Sequence, residues 1–247
     1  MQLKIIGSGS SGNAYALIAE NSILLIEAGR RLIEVKKAID FKLSKVEGLI
    51  YTHQHLDHGG YALDFAKAGI DVYSSPEALM ANNVFQFAPH RGKPVFPTMK
   101  YRIKEFVILP FSVVHDVTCY GFLIQHPEMG LTCFVTDSMY SPAVFPGLNN
   151  ILIEANYQEE VLDNNILSGK TNQHLATRIR NSHMSFDTTI NFLQANDLSK
   201  VNNIVLLHLS NSNSDQELMK SKLRGLTTQQ IHIAEAGTTI ELNKTLF

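Results

Sequence analysis

Residues 51–60 read YTHQHLDHGG, and within this stretch four groups able to ligate a metal, His53, His55, Asp57 and His58, fall in six positions. At the chain's own His and Asp content, chance yields such a pattern on the order of one time in a thousand. The cluster follows the apolar run at 48–51, which reads as a short buried strand. At a strand end, side chains at i and i+2 lie on the same side, so two imidazoles can reach one ion. Asp57 and His58 come where the chain turns into a helix and so face a neighbouring ion. Gly59 and Gly60 allow close backbone packing there. The alternative is a solvated polar turn with scattered histidines. Four ligand-type residues directly behind an apolar strand make that reading costly.

One motif does not fill two coordination spheres, so further ligands are expected at other strand ends. His115 follows an apolar run over 106–114, Asp137 follows 131–135, and His208 closes 204–207. Each alone would serve equally as a hydrogen-bonded strand-end group; beside the first cluster, all three read as ligands. Further outward, strands are expected at 3–6, 14–18, 23–26, 72–74, 122–126, 151–153, 231–234 and 238–242. Helices are expected at 30–39, 61–68, 159–166, 173–180, 186–195 and 215–222. Residues 75–105 hold Pro76, Pro89, Pro94 and Pro97 and read as an insertion or a long loop system. The order predicts an α/β (α+β) chain, a layered αββα sandwich of two packed sheets with helices outside. No repeat or linker divides it, so residues 1–247 read as a single domain with a variable insertion at about 75–105.

Composition narrows the function classes. Lys and Arg number 21 against 23 Asp and Glu, a balance that argues against a nucleic-acid packaging protein but not against a local basic groove. The two cysteines, Cys119 and Cys133, have no metal-type spacing and imply no disulfide framework. No signal peptide or membrane span is expected, and the reading is a cytoplasmic chain with no membrane partner.

The chain resembles the metallo-β-lactamase superfamily, on HxHxDH followed in order by a His, an Asp and a His at strand ends. Within it the match is to the YycJ (WalJ) group, related to ribonuclease Z and to the cyclic phosphodiesterase of phosphonate breakdown. The supporting segments include GSGSSGNAY at 7–15, LLIEAG at 24–29, VHD at 114–116, FVTDS at 134–138, LIEANY at 152–157, NSHMS at 181–185 and LLHLSNSNSD at 206–215. The resemblance implies the four-layer αββα metallo-β-lactamase sandwich and two divalent metal ions, Zn or Mn. His53, His55 and His115 would hold the first ion, Asp57, His58 and His208 the second, and Asp137 would bridge them. A bridging carboxylate with no cysteine at the equivalent place points away from β-lactams and towards phosphodiesters. Glu27 stands where the family usually has Asp, which implies a supporting part.

Two divalent ions about 3.5–4 Å apart can hold a hydroxide at neutral pH for attack on phosphorus, with Asp57 as a ligand that also bonds it. His183 is the candidate proton donor to the leaving oxygen. It lies just before a helix expected from Phe186, with Ser185 placed to cap it. The resemblance matches this segment to an HMS-type motif and makes Glu154 the carboxylate that orients His183. The Gly/Ser loop at 8–13 could bring backbone N–H groups, Ser10 and Asn13 to a phosphate, or simply connect two strands. Residues 78–104 and 164–186 contain no acidic residue. The first stretch mixes basic residues with Phe85, Phe87, Phe96 and Tyr101; the second carries Arg178 and Arg180 beside His183. The expected activity is a phosphodiesterase, foremost an exonuclease-type nuclease with DNA or RNA as substrate. The alternatives are a small-molecule hydrolase of a cyclic phosphate, thioester or lactone, and a nucleic-acid-binding module without turnover.

Overall fold

The computed structural model describes residues 1–245. Strands β1 (Gln2–Gly7), β2 (Ala14–Ile18) and β3 (Ile23–Ile26) form an antiparallel meander. Helix α1 (Leu32–Ala38) crosses to β4 (Val46–Ile50), which lies parallel to β3. The chain then turns through α2 (Leu56–Gly59) and α3 (Ala62–Lys67) to β5 (Val72–Ser74). Next come α4 (Pro76–Ala81), α5 (Val84–Phe87), β6 (Gly92–Pro94) and β7 (Tyr101–Ile103). Strands β8 (Phe106–Ser112), β9 (Tyr120–His126) and β10 (Gly130–Val135) are a second antiparallel meander. Strand β11 (Asn150–Glu154) lies parallel to β10. Helices α6 (Glu159–Leu167), α7 (Gln173–Ser182) and α8 (Phe186–Ala195) precede β12 (Asn203–Leu207), and α9 (Gln216–Leu226) precedes β13 (Gln230–Ile233) and β14 (Thr239–Glu241).

The strands make two seven-stranded mixed sheets, ordered β14-β1-β2-β3-β4-β5-β6 and β13-β12-β11-β10-β9-β8-β7. Alternation along the strands distributes side chains among three apolar layers. Leu3, Ile5, Tyr15, Leu17, Leu24 and Ile26 of the first sheet meet Phe106, Phe122, Phe134, Leu152, Val205 and Leu207 of the second. Ala14, Ala16, Ile23 and Leu25 point the other way, against Val35, Phe65 and Leu79 of the helices outside. Cys133, Ile151, Ile153 and Ile204 pack under Phe186, Phe192, Met219 and Leu223. Helices on the outer face of each sheet complete the four-layer αββα sandwich. With both faces covered, β3 is apolar throughout, and β11 and β12 carry apolar runs at 151–153 and 204–207.

Residues 75–105 differ from the loop system expected. They hold two short helices and supply an edge strand to each sheet, β6 beside β5 and β7 beside β8. Pro76 reads as a breaker in sequence but sits in the first turn of α4, where a missing N–H leaves nothing unpaired, and Ser75 Oγ caps that turn from Ala78 N at 3.1 Å. No helix among the described residues is long and apolar enough to cross a membrane.

Candidate metal centre

The site lies at the carboxyl ends of β3, β4, β10, β11 and β12, where open α/β sheets place their ligands. The chain leaves these strands through Glu27, the 52–58 turn, Asp137, the segment after Glu154, and His208. Glu27, Asp137 and His208 have positive φ, 66°, 46° and 51°. A left-handed backbone at a non-glycine residue costs about 1–2 kcal/mol and persists only where its surroundings hold it. Three such residues at one end of the sandwich, all with buried ionisable side chains, mark a place where packing is subordinate to chemistry.

Thr52 decides the tautomer of His53. Its hydroxyl donates to Glu27 Oε1 at 2.7 Å, so the same oxygen accepts from His53 Nδ1 at 2.9 Å, and the His53 lone pair is on Nε2. His115 Nδ1 donates to the Ser182 carbonyl at 3.0 Å, which turns its Nε2 inward. Both inward nitrogens crowd His55 Nδ1, at 3.0 and 3.3 Å. One proton on His55 cannot satisfy two lone pairs, so the triangle suits a cation better than a hydrogen-bonded cluster. Asp116, half exposed, adds a carboxylate oxygen 3.0 Å from His115 Nε2.

A second group adjoins the first. His58 Nε2 lies 3.1 Å from Asp137 Oδ2 and 3.5 Å from Asp57 Oδ2, and Asn13 Nδ2 is 3.0 Å from the same nitrogen. His208 Nδ1 hydrogen-bonds Asp137 Oδ1, while its Nε2 is buried without a hydrogen-bond partner, 3.9 Å from Asp57 Oδ2. An orphaned buried imidazole nitrogen facing carboxylates is the donor an ion would use. Asp137 Oδ2 is also 3.9 Å from His53 Nε2, so this one carboxylate stands between the groups. In each group the ligand atoms fall within 4.8 Å of one another. These nitrogen and oxygen donors fit divalent cations. Glu27 Oε1 lies 3.2 Å from His58 Nδ1, so the longer side chain in place of Asp spans Thr52 and His58 together.

Burial drives His53 well below the ordinary imidazole range, and the neighbouring His58 adds to the shift. His58 is equally buried, but Asp137, Glu27 and Asp57 outweigh the burial and hold it well above that range. Burial opposes ionisation of Asp137, yet His208 and His58 hold it well below the usual carboxylate range. Cys119 packs behind His53, its Sγ 3.6 Å from Nδ1, with the thiol pushed up by burial; both cysteines are free and buried.

Beside the second group, His183 Nδ1 meets Glu154 Oε1 at 2.7 Å. Glu154 is fully buried and is fixed by the backbone N–H groups of Ser138 and Met184, each 3.1 Å from Oε2. Ser185 Oγ caps α8 at Thr188 N, fixing the chain just after His183. Burial works against the charge on His183, but Glu154 prevails and raises it to about 9. A cleft of about 330 Å³ opens over both groups, lined by His55, Asp57, His115, Asp137 and His183, with Ser10 and Arg178 on its wall.

The structure brings seven ligand candidates, His53, His55, Asp57, His58, His115, Asp137 and His208, together with the Glu154–His183 pair. The remaining expectations divide. Arg178 and Ser10 face the cleft. Arg180 does not; it pairs with Glu159 at 2.8 Å and Asp163, acids just outside the acid-free stretch. Asn13 is buried, and its amide holds Gly9 N, the Asp57 carbonyl and His58 rather than facing open space. Of the basic residues of 78–104, Arg91 and Lys93 pair with Asp71 and Lys104 with Glu47, acids from elsewhere. Sequence reading missed Thr52, Asp116 and the Ser182 carbonyl. Thr52 and Asp116 carry a signal, a polar residue adjoining a candidate ligand; a backbone carbonyl carries none.

The sequence profile of the metallo-beta-lactamase superfamily matches residues 7–98. An exodeoxyribonuclease WalJ of Streptococcus pneumoniae is 25% identical over 228 residues, covering 87% of this chain and 83% of that one. Among solved structures, the metallo-beta-lactamase fold protein YhfI of Bacillus subtilis superposes with a TM-score of 0.75 at 16% identity, covering 97% of this chain and 99% of that one. A diphosphatase of the PhnP family gives 0.65 at 14% identity, covering 100% and 99%. The HxHxDH turn inside the matched segment, the two-sheet sandwich and the donor clusters at its strand ends agree: the chain has the metallo-beta-lactamase fold, its residues 7–98 carry the sequence signature of that superfamily, and its His and Asp clusters are of the kind that hold divalent metal.

Proposed function

We propose that this chain is a cytoplasmic dinuclear metal-dependent phosphodiesterase that acts on nucleic acid as an exonuclease. One observation carries the reading: Asp137 belongs to one ligand group and reaches to 3.9 Å from His53 of the other, directly beside the Glu154–His183 carboxylate–imidazole pair, in a cleft with an arginine on its wall. His53, His55 and His115 would hold one ion and Asp57, His58 and His208 the other, with Asp137 between them. The ions, Zn or Mn, would acidify water and neutralise charge on phosphate oxygens. The chain's own residues do the rest. Glu154 fixes the ring of His183 through Nδ1, so Nε2 presents its proton to the cleft and passes it to the leaving oxygen. Thr52, Glu27 and the Ser182 carbonyl keep three imidazoles turned inward without rearrangement. The 25% identity to an exodeoxyribonuclease supports nucleic acid over a small ester.

The test is a panel of end-labelled single- and double-stranded DNA, RNA and bis(p-nitrophenyl) phosphate, run with chelated protein and after addition of Mn²⁺ or Zn²⁺. Stepwise release of nucleotides that requires added metal, and that Asp57→Ala and His183→Ala each reduce at least a hundredfold, is expected. Turnover of the small diester alone would assign a small-molecule hydrolase, and binding without turnover a recruiting module.

A further inference from the structure

A second cleft of about 300 Å³ opens beside the first and shares four residues with it, Ser10, Arg178, Ser182 and His183. The two differ in chemistry. Asp57, Asp116 and Asp137 line the first, which by itself would repel a phosphate. Among the described residues no acidic side chain lines the second. Its walls bring Asn156 from the end of β11 and Ser210 and Ser212 from the turn after His208, and Leu175 and Ile179 of α7 form an apolar flank. Leu175 is 45% exposed there.

Arg178 stands at the junction. Its neighbour Arg180 is spent on Glu159 and Asp163, but the Arg178 guanidinium has no acceptor among the described residues. Ser10 opposite it forms no hydrogen bond with any described residue. The loop carrying Ser10 is nonetheless fixed. Ser8 Oγ accepts from His208 N at 2.9 Å, Gly9 N donates to Asn13 Oδ1 at 2.8 Å, and Arg30 Nε holds the Gly12 carbonyl at 3.2 Å. A cation and a hydroxyl, both unengaged among the described residues, thus line both clefts, with an apolar flank in the second. That combination recognises a nucleoside phosphate: the anion on Arg178 and Ser10, the sugar and base against Leu175 and Ile179.

We infer that the acid-free basin is the subsite for the nucleotide adjoining the scissile bond, whose further phosphate sits on Arg178. This rests on the phosphodiesterase reading and narrows it: the preferred substrate carries a second phosphate one nucleoside away from the bond that is cut. Polymer and oligonucleotide ends qualify; cyclic monophosphates and simple diesters do not.

A binding measurement tests the subsite apart from turnover. Affinities of metal-loaded protein for thymidine 3′,5′-bisphosphate and thymidine 5′-monophosphate are compared by calorimetry. The wild type should bind the bisphosphate about tenfold more tightly, with the ratio shrinking as salt rises. Arg178→Ala should bring the ratio close to one, and Arg178→Lys should retain part of it. Leu175→Glu, which adds an acid to the basin, should lower the ratio independently. A wild-type ratio near one, or a ratio untouched by Arg178→Ala, overturns the inference even if the protein degrades DNA. A tenfold ratio abolished in the variant sustains it even if the nuclease panel identifies another scissile bond.

Discussion

Single side chains at the metal centre act through partners, and their substitution should separate orientation from ligation. Asp137 lies between both ligand groups, so Asp137→Ala should remove bound metal from both. Elemental analysis should find well under one ion per chain where the wild type is expected to hold two, and retention of two would exclude Asp137 as the shared ligand. Thr52→Val keeps the side chain's shape but removes the oxygen that fixes His53. Loss of such a supporting bond typically costs 10–100-fold in metal affinity, and about tenfold is expected by competition with a chelating dye. Glu154→Gln keeps a hydrogen-bond acceptor for the backbone but removes the charge that holds His183 at about 9. An acid that must be protonated gives an activity limb that falls as pH rises through its pKa. Without Glu154 that pKa drops, so the alkaline limb should move to lower pH and kcat should fall about 10²-fold or more. A pH–rate profile whose limb stays in place would remove His183 from the proton-donor role.

Elements matter here through their ends. The loop between β1 and β2 nests against the segment after β3 because Gly12, at φ +127°, has no Cβ; one built there would lie 2.1 Å from the Gly29 carbonyl. Gly12→Ala therefore combines a strained backbone with a clash against main chain, and should lower stability by about 2–4 kcal/mol in a denaturant titration. The same change should weaken metal binding, since Asn13, the next residue, holds His58 and the Asp57 carbonyl. Element ends also explain what the sequence could and could not tell. Strands β2 and β3 were legible to the residue and β12 to within one, because burial on both faces makes apolar runs with sharp polar limits. His53, His55, Asp57 and His58 stood out because four ligand-type residues at a buried strand end are costly to desolvate, and the structure gathers them into clusters able to hold an ion. Helices α4 and α5 were not legible: six and four residues give too little periodicity, and Pro76, the first residue of α4, and Asn83, just before α5, both read as turn signals. Arg180 was indistinguishable from Arg178 in sequence, because its acids, Glu159 and Asp163, lie one helix away and meet it only after α6 and α7 pack.

At the scale of the whole molecule, the site is the place where the two sheets are joined by charge rather than by apolar contact. Glu27 and the 52–58 turn come from the first sheet, while Asp137, Glu154 and His208 come from the second. Elsewhere the sheets meet through apolar side chains from end to end. Buried carboxylates and imidazoles at one end of that seam are costly to desolvate unless paired, and one ring nitrogen that faces the cluster, His208 Nε2, has no hydrogen-bond partner among the described residues. Ions bound at the seam would link the sheets and stabilise the folded state by mass action, about 4 kcal/mol per site when free metal is a thousandfold above Kd. For a chain of this length about 1 kcal/mol moves Tm by roughly 2–4 °C, so chelation should lower Tm by on the order of 10 °C or more. Adding back Mn²⁺ or Zn²⁺ should restore it, and Asp137→Ala should start from the lower value and respond weakly to either treatment. A Tm indifferent to chelation in protein shown to have lost its metal would mean that the seam holds without ions, and that the strained backbone at Glu27, Asp137 and His208 is supported by the surrounding protein alone.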